Sequence, residues 1–392
     1  METISETPCL SLLGCPLSEY RIVRSAEASG IELYFVGLLQ RQISRTGYEL
    51  DVVTDTEAPV EREIVVGCTS RLKSRAFYEV SRELYEYAIV GYGSSLYIGY
   101  GSMMCLNEVL AVFPRAYDNE RIDITGKVSN TFCVDKKCSS DIRVMTSNVE
   151  FVKWDRINKD YKLRMRMTAE YYNFYKPDVI GLQEARVEMR DALVPYLDSR
   201  YKFVDFSQYT DEVIKVEYLP ILYDAEKWTV LEAGVGRWQH ILFCAWGYGW
   251  VRFGRKEDPT DSFYMINLHY MPAPFIGKYS ELYRSGIASE VNERVKELVA
   301  DDPDVMIFIT GDYNTARNSD IFELMYENGH LETSYLLTED TNLTSDNMQR
   351  WIDHISVTKD NVEVVLNRSI DTIGTEYMSD HIPCFSDVKR KK

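Results

Sequence analysis

Histidine and cysteine are scarce in this chain, with five histidines and eight cysteines among 392 residues. Cysteines this sparse exclude a disulfide scaffold, and the closest pair, Cys133 and Cys138 in CVDKKC, lacks the paired spacing of a zinc site. Reduced thiols in a cytoplasm are the expected setting. Basic residues are also outnumbered, 44 against 61 acids, and the net charge of −17 disfavours a general grip on nucleic acid. Such affinity comes mainly from Lys and Arg neutralising phosphates, although a local basic groove is still open. No apolar run reaches the roughly 18 residues of a membrane span. The opening METISETPCLSLLGCPLSEY has no basic region followed by a long apolar stretch. Neither anchor nor secretion signal is expected, so the cytoplasm is the expected location. A secreted protein that had lost its leader would read the same way.

What is present suffices for a substantial core: 45% of residues are apolar and 12% aromatic, in a length that accommodates one large domain or two ordinary ones. From Tyr20 to Tyr117 the pattern alternates strands (YRIV, YELDVV, EIVVG, and YAIVG and SLYIGY joined by a glycine-containing turn) with helical spacings (IELYFVGLLQRQI, RAFYEVSREL, SMMCLNEVLAVF). This reads as a small α+β domain with no convergent acid, histidine or cysteine set. Residues 118–139 are polar with little periodicity and read as a linker. The expected domains are therefore 1–138, accessory domain and linker, and 139–392, the functional domain.

Beyond Ser139 come repeated apolar strands: IRVMTSN, DVIGLQE, KFVDFS, LPILYD, GWVRF, FYMINLH, VMIFITGDYN, WIDHISV and VEVVL. Helical runs fall between some of them, at YKLRMRMTAEYYNFY and SGIASEVNERVKELVA, with Pro177 and Pro303 just past the two runs. The fold class is α+β: two β-sheets packed as a sandwich and flanked by helices, preceded by the small α+β domain. Several strands end in a polar residue, where sheets expose side chains to a ligand crevice. Asn148, Glu184, His269, Asp312 with Asn314, Asp353, and Asp380 with His381 fall at these ends. Acids and amides without cysteine suit Mg²⁺ or Mn²⁺ rather than structural zinc. Such a set performs displacement at phosphorus: the metal neutralises phosphoryl oxygens, and a histidine held by a carboxylate handles the proton.

These segments, from Ser140 to Val388 and in the same order, resemble the endonuclease/exonuclease/phosphatase superfamily. That group includes pancreatic-type deoxyribonuclease, abasic-site endonucleases, sphingomyelinases, inositol polyphosphate 5-phosphatases and deadenylases. The resemblance implies a DNase I-like four-layer α/β/β/α fold and a divalent-metal-dependent phosphodiesterase or phosphatase using Mg²⁺ or Mn²⁺. It implies metal binding by Glu184, with Asn148 beside it and Asp380 near the metal. It implies positioning of water and phosphate by Asp312 and Asn314 of the GDxN pattern, and a base or phosphate contact at His381 oriented by Asp353. It implies a leaving-group contact at His269. The family's THL is LHY here, with Leu268 and Tyr270 as departures, which puts the shape around His269 in question.

Each residue also has a plainer reading. Asn148 and Asn314 suit turns, Glu184 a helix start, Asp312 a β-turn after Gly311, Asp353 a surface acid and His269 a satisfied core histidine. Six such readings would have to hold at once. His354 is expected on the opposite face of its strand from Asp353, and His240 as an ordinary histidine. The substrate, a phosphate ester, stays open. The closest basic clusters are KWDRINKDYKLRMR, which reads as the exposed face of a helix, and the terminal KRKK. Tyr270, Phe275, Tyr279 and Tyr283 are candidates to stack on a base or sugar, with core packing as the alternative. A DNA-repair or nonspecific endonuclease is the competing enzyme, and a catalytically silent phospho-ligand module the competitor from another class. The N-terminal pattern is similar to the small domains ahead of catalytic barrels in hexosaminidases and α-glucuronidases. That resemblance implies an accessory role without catalytic residues and carbohydrate as a contact, against a plain scaffold.

Overall fold

A computed structural model describes residues 10–71, 83–128, 140–151, 160–208, 219–237, 247–270, 278–315, 319–341 and 352–391. The chain divides into two compact units, residues 1–132 with 372–374, and 133–371 with 375–392. Among the described residues no helix is long and apolar enough to cross a membrane.

The first unit begins with a two-strand hairpin, β1 (Ser11–Leu12) and β2 (Cys15–Pro16). Its sheet comprises β3 (Arg21–Arg24), β4 (Val52–Thr54), β5 (Glu63–Val66), β6 (Glu86–Tyr92), β7 (Ser95–Tyr100) and β8 (Asp123–Lys127), in the order β4-β3-β5-β7-β6-β8. The helix Gly30–Ser44 starts where the Ser29 hydroxyl accepts from the Glu32 N–H, and it buries Ile31, Phe35, Val36, Leu39 and Ile43 at helical spacing. The linker expected at 118–139 is corrected in part: residues 123–127 pair with β6 as an edge strand. Its alternating exposure hides the strand in a polar-looking sequence. The helical run RAFYEVSREL falls mainly outside the described residues, as do Cys133 and Cys138.

The second unit has two six-stranded sheets. The first comprises β9 (Ile142–Asn148), β10 (Val179–Gln183), β11 (Tyr201–Phe203), β12 (Ile221–Asp224), β19 (Val362–Ser369) and β20 (Cys384–Arg390), in the order β11-β12-β10-β9-β20-β19. The second comprises β13 (Trp228–Arg237), β14 (Gly247–Arg255), β15 (Ser262–His269), β16 (Met306–Asp312), β17 (Leu331–Thr333) and β18 (Asp353–Thr358), in the order β13-β14-β15-β16-β18-β17. Period-two alternation sends Val144, Val179, Phe263, Met265, Phe308 and Ile355 into one core between the sheets. The other face of the second sheet packs Ile266, Leu268, Ile307 and Ile309 against the helix Lys278–Asp301, through Tyr283, Ile287, Val291 and Val295. The helix Tyr161–Tyr175 covers the first sheet; Asp160 caps its start, and Lys176 in the left-handed conformation followed by Pro177 ends it. The result is the four-layer helix–sheet–sheet–helix arrangement of a DNase I-like fold.

The basic run at the start of that helix is corrected in part: Lys162 is exposed and Arg166 partly exposed, as expected. Arg164 is not on a solvated face but fully buried, while residues 152–159 lie outside the described set. Of the terminal basic cluster, Lys389 and Arg390 belong to β20, with Lys389 3.0 Å from Glu363.

Candidate active site

Three neighbouring strands bring three of the site residues into one row. In the parallel pairing of β15 with β16, His269 stands opposite Asp312; in the antiparallel pairing of β16 with β18, Asp312 stands opposite Asp353. Side chains in register share a face, so all three leave the inter-sheet side of the second sheet at one end of the sandwich. The same face grades from apolar to polar along each strand, from Met265 through Asn267 to His269, and from Phe308 through Thr310 to Asp312. The facing sheet supplies Asn148 and Glu184 from the ends of its parallel pair, β9 and β10.

Asp312 is the hub. Its side chain is 1% exposed, and Oδ2 lies 3.0 Å from Asn148 Nδ2, 3.3 Å from His269 Nε2 and 3.7 Å from His381 Nε2. Its Oδ1 accepts from the Asn314 N–H at 2.8 Å. Glu184 approaches Asn148 Nδ2 at 3.4 Å with Oε1, and accepts from the Phe151 N–H at 2.8 Å with Oε2. His381 places Nδ1 2.7 Å from Asp353 Oδ2. Ligand atoms of Asp312, Asp353 and His381 all lie within 4.8 Å of one another. Glu150, Glu184 and Asn314 have φ of 49°, 61° and 46°, left-handed backbone in non-glycine residues gathered at one place.

The sequence matches no family model and no curated protein. Solved structures do match. The endonuclease/exonuclease/phosphatase protein from Bacteroides vulgatus aligns over 64% of this chain and 99% of its own at 20% identity, with a TM-score of 0.53. A mannosyl-6-phosphatase from Bacteroides thetaiotaomicron aligns over 64% and 100% at 19% identity and a TM-score of 0.51. The human Nocturnin catalytic domain with bound sulfate aligns over 64% and 94% at 16% identity and a TM-score of 0.50. The chain carries the endonuclease/exonuclease/phosphatase fold.

Within that fold the electrostatics follow from crowding acids and imidazoles together. Burial works to lower the His381 pKa, but Asp353, helped by Asp312 and Asp380, outweighs it and lifts the group to about 10. Burial likewise opposes protonation of His269, and the adjacent Asp312 overcomes it, so its pKa is raised. Burial pushes Asp312 up, yet His269, His381 and the Asn314 N–H hold it below the ordinary carboxylate range. For Asp353 burial wins over His381, and its pKa is raised.

Asp380 stands apart from the other residues expected near a metal. Its side chain is 65% exposed, with Oδ1 3.8 Å from His381 Nε2. The strand expected to hold the Asp-His pair begins only at Cys384, and Ile382 is exposed. The anchors are different: Ser379 Oγ donates to the Asn148 carbonyl at 2.7 Å and accepts from the His381 N–H at 3.1 Å. Arg164 ties both segments together, donating to the carbonyls of Met378 at 2.7 Å, Val149 at 2.5 Å and Glu150 at 2.6 Å.

The departures Leu268 and Tyr270 point away from the site. Leu268 packs among the helices, and the Tyr270 ring lies 5.3 Å from that of Tyr313, with its OH on Met325 Sδ. Tyr270 and Tyr283 are fully buried, which removes them as stacking surfaces for a substrate; Phe275 and the Tyr279 side chain lie outside the described residues. His354 packs against the rings of Tyr313 and Phe322 on the helical side, opposite Asp353, while His240 lies outside the described residues.

Beneath the site lies a buried polar layer that sequence reading missed. Gln183 donates to Asn267 Oδ1 at 2.7 Å, Asn267 to the Leu182 carbonyl at 2.8 Å, and Thr310 to Asn267 Oδ1 at 3.1 Å. A Cβ at Gly181 would fall 2.0 Å from Thr310 Oγ1, so only glycine lets the sheets approach there. One polar residue inside an apolar strand, as in FYMINLH, is the signal that marks this layer.

Proposed function

We propose that this protein is a divalent-metal-dependent phosphoric ester hydrolase acting by in-line attack of water. The observation that carries the reading is the buried Asp312 carboxylate, with one amide and two imidazoles within 3.7 Å. The buried carboxylates of Asp312 and Asp353 and the half-buried carboxylate of Glu184 offer hard oxygens that suit Mg²⁺ or Mn²⁺. Glu184 would hold the ion, with Asn148 beside it and Asp380 at the rim. Such an ion, when bound, neutralises phosphoryl oxygens and the leaving oxygen.

The chain's own groups divide the remaining work. Asp312, kept ionised, takes the proton of the attacking water as its oxygen bonds to phosphorus. Asn314 has its Nδ2 on the Tyr270 carbonyl at 2.8 Å, which leaves Oδ1 as an acceptor to orient that water. His381, kept cationic by Asp353, stabilises charge on the phosphoryl oxygens. His269, raised by Asp312, donates its proton to the departing ester oxygen as the P–O bond breaks. The fold neighbours include a mannosyl-6-phosphatase and a sulfate-bound catalytic domain, which supports an anionic ester as substrate.

Turnover of bis(p-nitrophenyl) phosphate, p-nitrophenyl phosphate and plasmid DNA, with and without Mg²⁺, tests the reading. Mg²⁺-dependent release of nitrophenol is the expected result. Activity that survives exhaustive chelation sinks the metal mechanism. Plasmid nicking without aryl-ester turnover favours the nuclease, which the acidic balance disfavours, and silence on all three favours a binding module. For the first unit we propose an accessory role with carbohydrate as its ligand class, supported by its sheet-and-helix pattern. A glycan array that captures nothing with the full chain would remove it. The cytoplasm is the proposed location, checked by fractionation of the producing cells.

A further inference from the structure

Arg284 lies on the helix Lys278–Asp301 and is only 5% exposed. Among the described residues its guanidinium makes one hydrogen bond, from Nη1 to the backbone carbonyl of Asn314 at 2.9 Å. Its Nε is buried without an acceptor. The other large buried arginines of the unit are built differently. Arg143 pairs through Nε and Nη2 with both carboxylate oxygens of Asp387, at 2.7 Å and 2.8 Å, and Arg164 is spread over three backbone carbonyls. A buried cation with one neutral hydrogen-bond acceptor, and Glu281 acting on it only as a nearby charge, is costly to maintain, and packing alone is served better by an apolar side chain of similar volume. That hydrogen bond falls on a residue with unusual demands. Asn314 holds a left-handed backbone with φ of 46°, donates its N–H to Asp312 and its side-chain amide to the Tyr270 carbonyl. Those bonds fix its donors, and Arg284 takes the carbonyl that is left.

We propose that Arg284 is a positioning residue that clamps the carbonyl of Asn314 and so holds the left-handed turn that aims the Asn314 amide at the reacting water. The proposal rests on the phosphoesterase reading for the water but not for the clamp. Without the clamp the turn relaxes toward right-handed backbone and the amide moves. A displacement of about 1 Å of such a group costs on the order of 100-fold in rate.

The test uses the full chain with R284M, R284K, N314A, R284M/N314A and R284K/N314A. Hydrogen–deuterium exchange reads the clamp directly: R284M is expected to speed exchange of the Asp312–Thr315 amides about tenfold, with the rest of β16 unchanged. In Mg²⁺-dependent turnover of an aryl phosphate ester, R284M is expected to lower kcat roughly 10- to 100-fold with KM nearly constant. R284M/N314A is expected to be no slower than N314A, because the clamp acts only through that residue. R284K keeps a cationic donor and should fall between wild type and R284M. If R284M fails to fold by circular dichroism, the R284K exchange and its cycle with N314A carry the comparison. Unchanged exchange at 312–315 overturns the clamp. So does an equal loss on the wild-type and N314A backgrounds, or a loss confined to KM, which would mark a direct contact with the substrate's anion. A wild-type protein without turnover refutes the phosphoesterase reading, while the exchange data still decide Arg284.

Discussion

Asn148 of one sheet donates to Asp312 of the other at 3.0 Å and reaches Glu184 at 3.4 Å with the same nitrogen, so a single amide joins the two halves of the site. Asn148→Ala removes a preorganised donor from a buried carboxylate. Turnover is expected to fall about 100- to 1,000-fold. Urea denaturation should show a loss of about 1–3 kcal/mol, the cost of a buried acceptor deprived of a partner. Activity within a few-fold of wild type would show that Asn148 only closes a turn.

Glu184 shares that amide but keeps a half-exposed carboxylate, the arrangement of a ligand with room for an ion. Calorimetric titration with Mg²⁺ should show Glu184→Ala binding at least about 100-fold more weakly, more than an outer-shell change causes. Equal affinity in the two proteins would move the ion away from Glu184.

The His381–Asp353 pair predicts a pH signature for the metal-free protein. Because the His381 pKa is raised, from 6.5 to about 10, its contribution to stability is complete below 6.5 and is lost as pH rises through about 10. Asp353→Asn removes the carboxylate that outweighs burial. The NMR titration midpoint of His381 should return to the ordinary histidine range or below it. A midpoint indifferent to the substitution would assign the shift elsewhere.

Arg143 and Asp387 form a buried bidentate pair, 1% and 0% exposed, between β9 and β20. Asp387→Ala strands a guanidinium in the core, at an expected cost of about 3–5 kcal/mol in chemical denaturation. Arg143→Met with Asp387→Leu should recover most of it. If the double variant were less stable than Asp387→Ala, the pair's charge would not be the source of the loss.

Strand ends were legible because their signal is local: an apolar run that stops at an acid, amide or histidine announces where it leaves the core. Asn148, Glu184, His269, Asp312, Asn314 and Asp353 stand at or next to such ends, whereas His381 lies in the turn between Met378 and Cys384. β13 was not legible. Its glycines look like strand breakers, yet Gly234 and Gly236 stand opposite Trp250 and Tyr248, whose rings occupy the space that side chains would fill.

By itself the sequence determined the strand periodicity, the helix caps and the polar residue at each strand end, all set by contacts within a few positions along the chain. Tertiary structure decided that β16 lies between β15 and β18, so that His269, Asp312 and Asp353 form one row, and that Asn148 meets Asp312 across the sandwich. It also decided that Arg164 and Arg284 are buried beside the site rather than solvated. These relations join residues tens to hundreds of positions apart, and they arise only when the two apolar faces close on each other and leave the polar ends together.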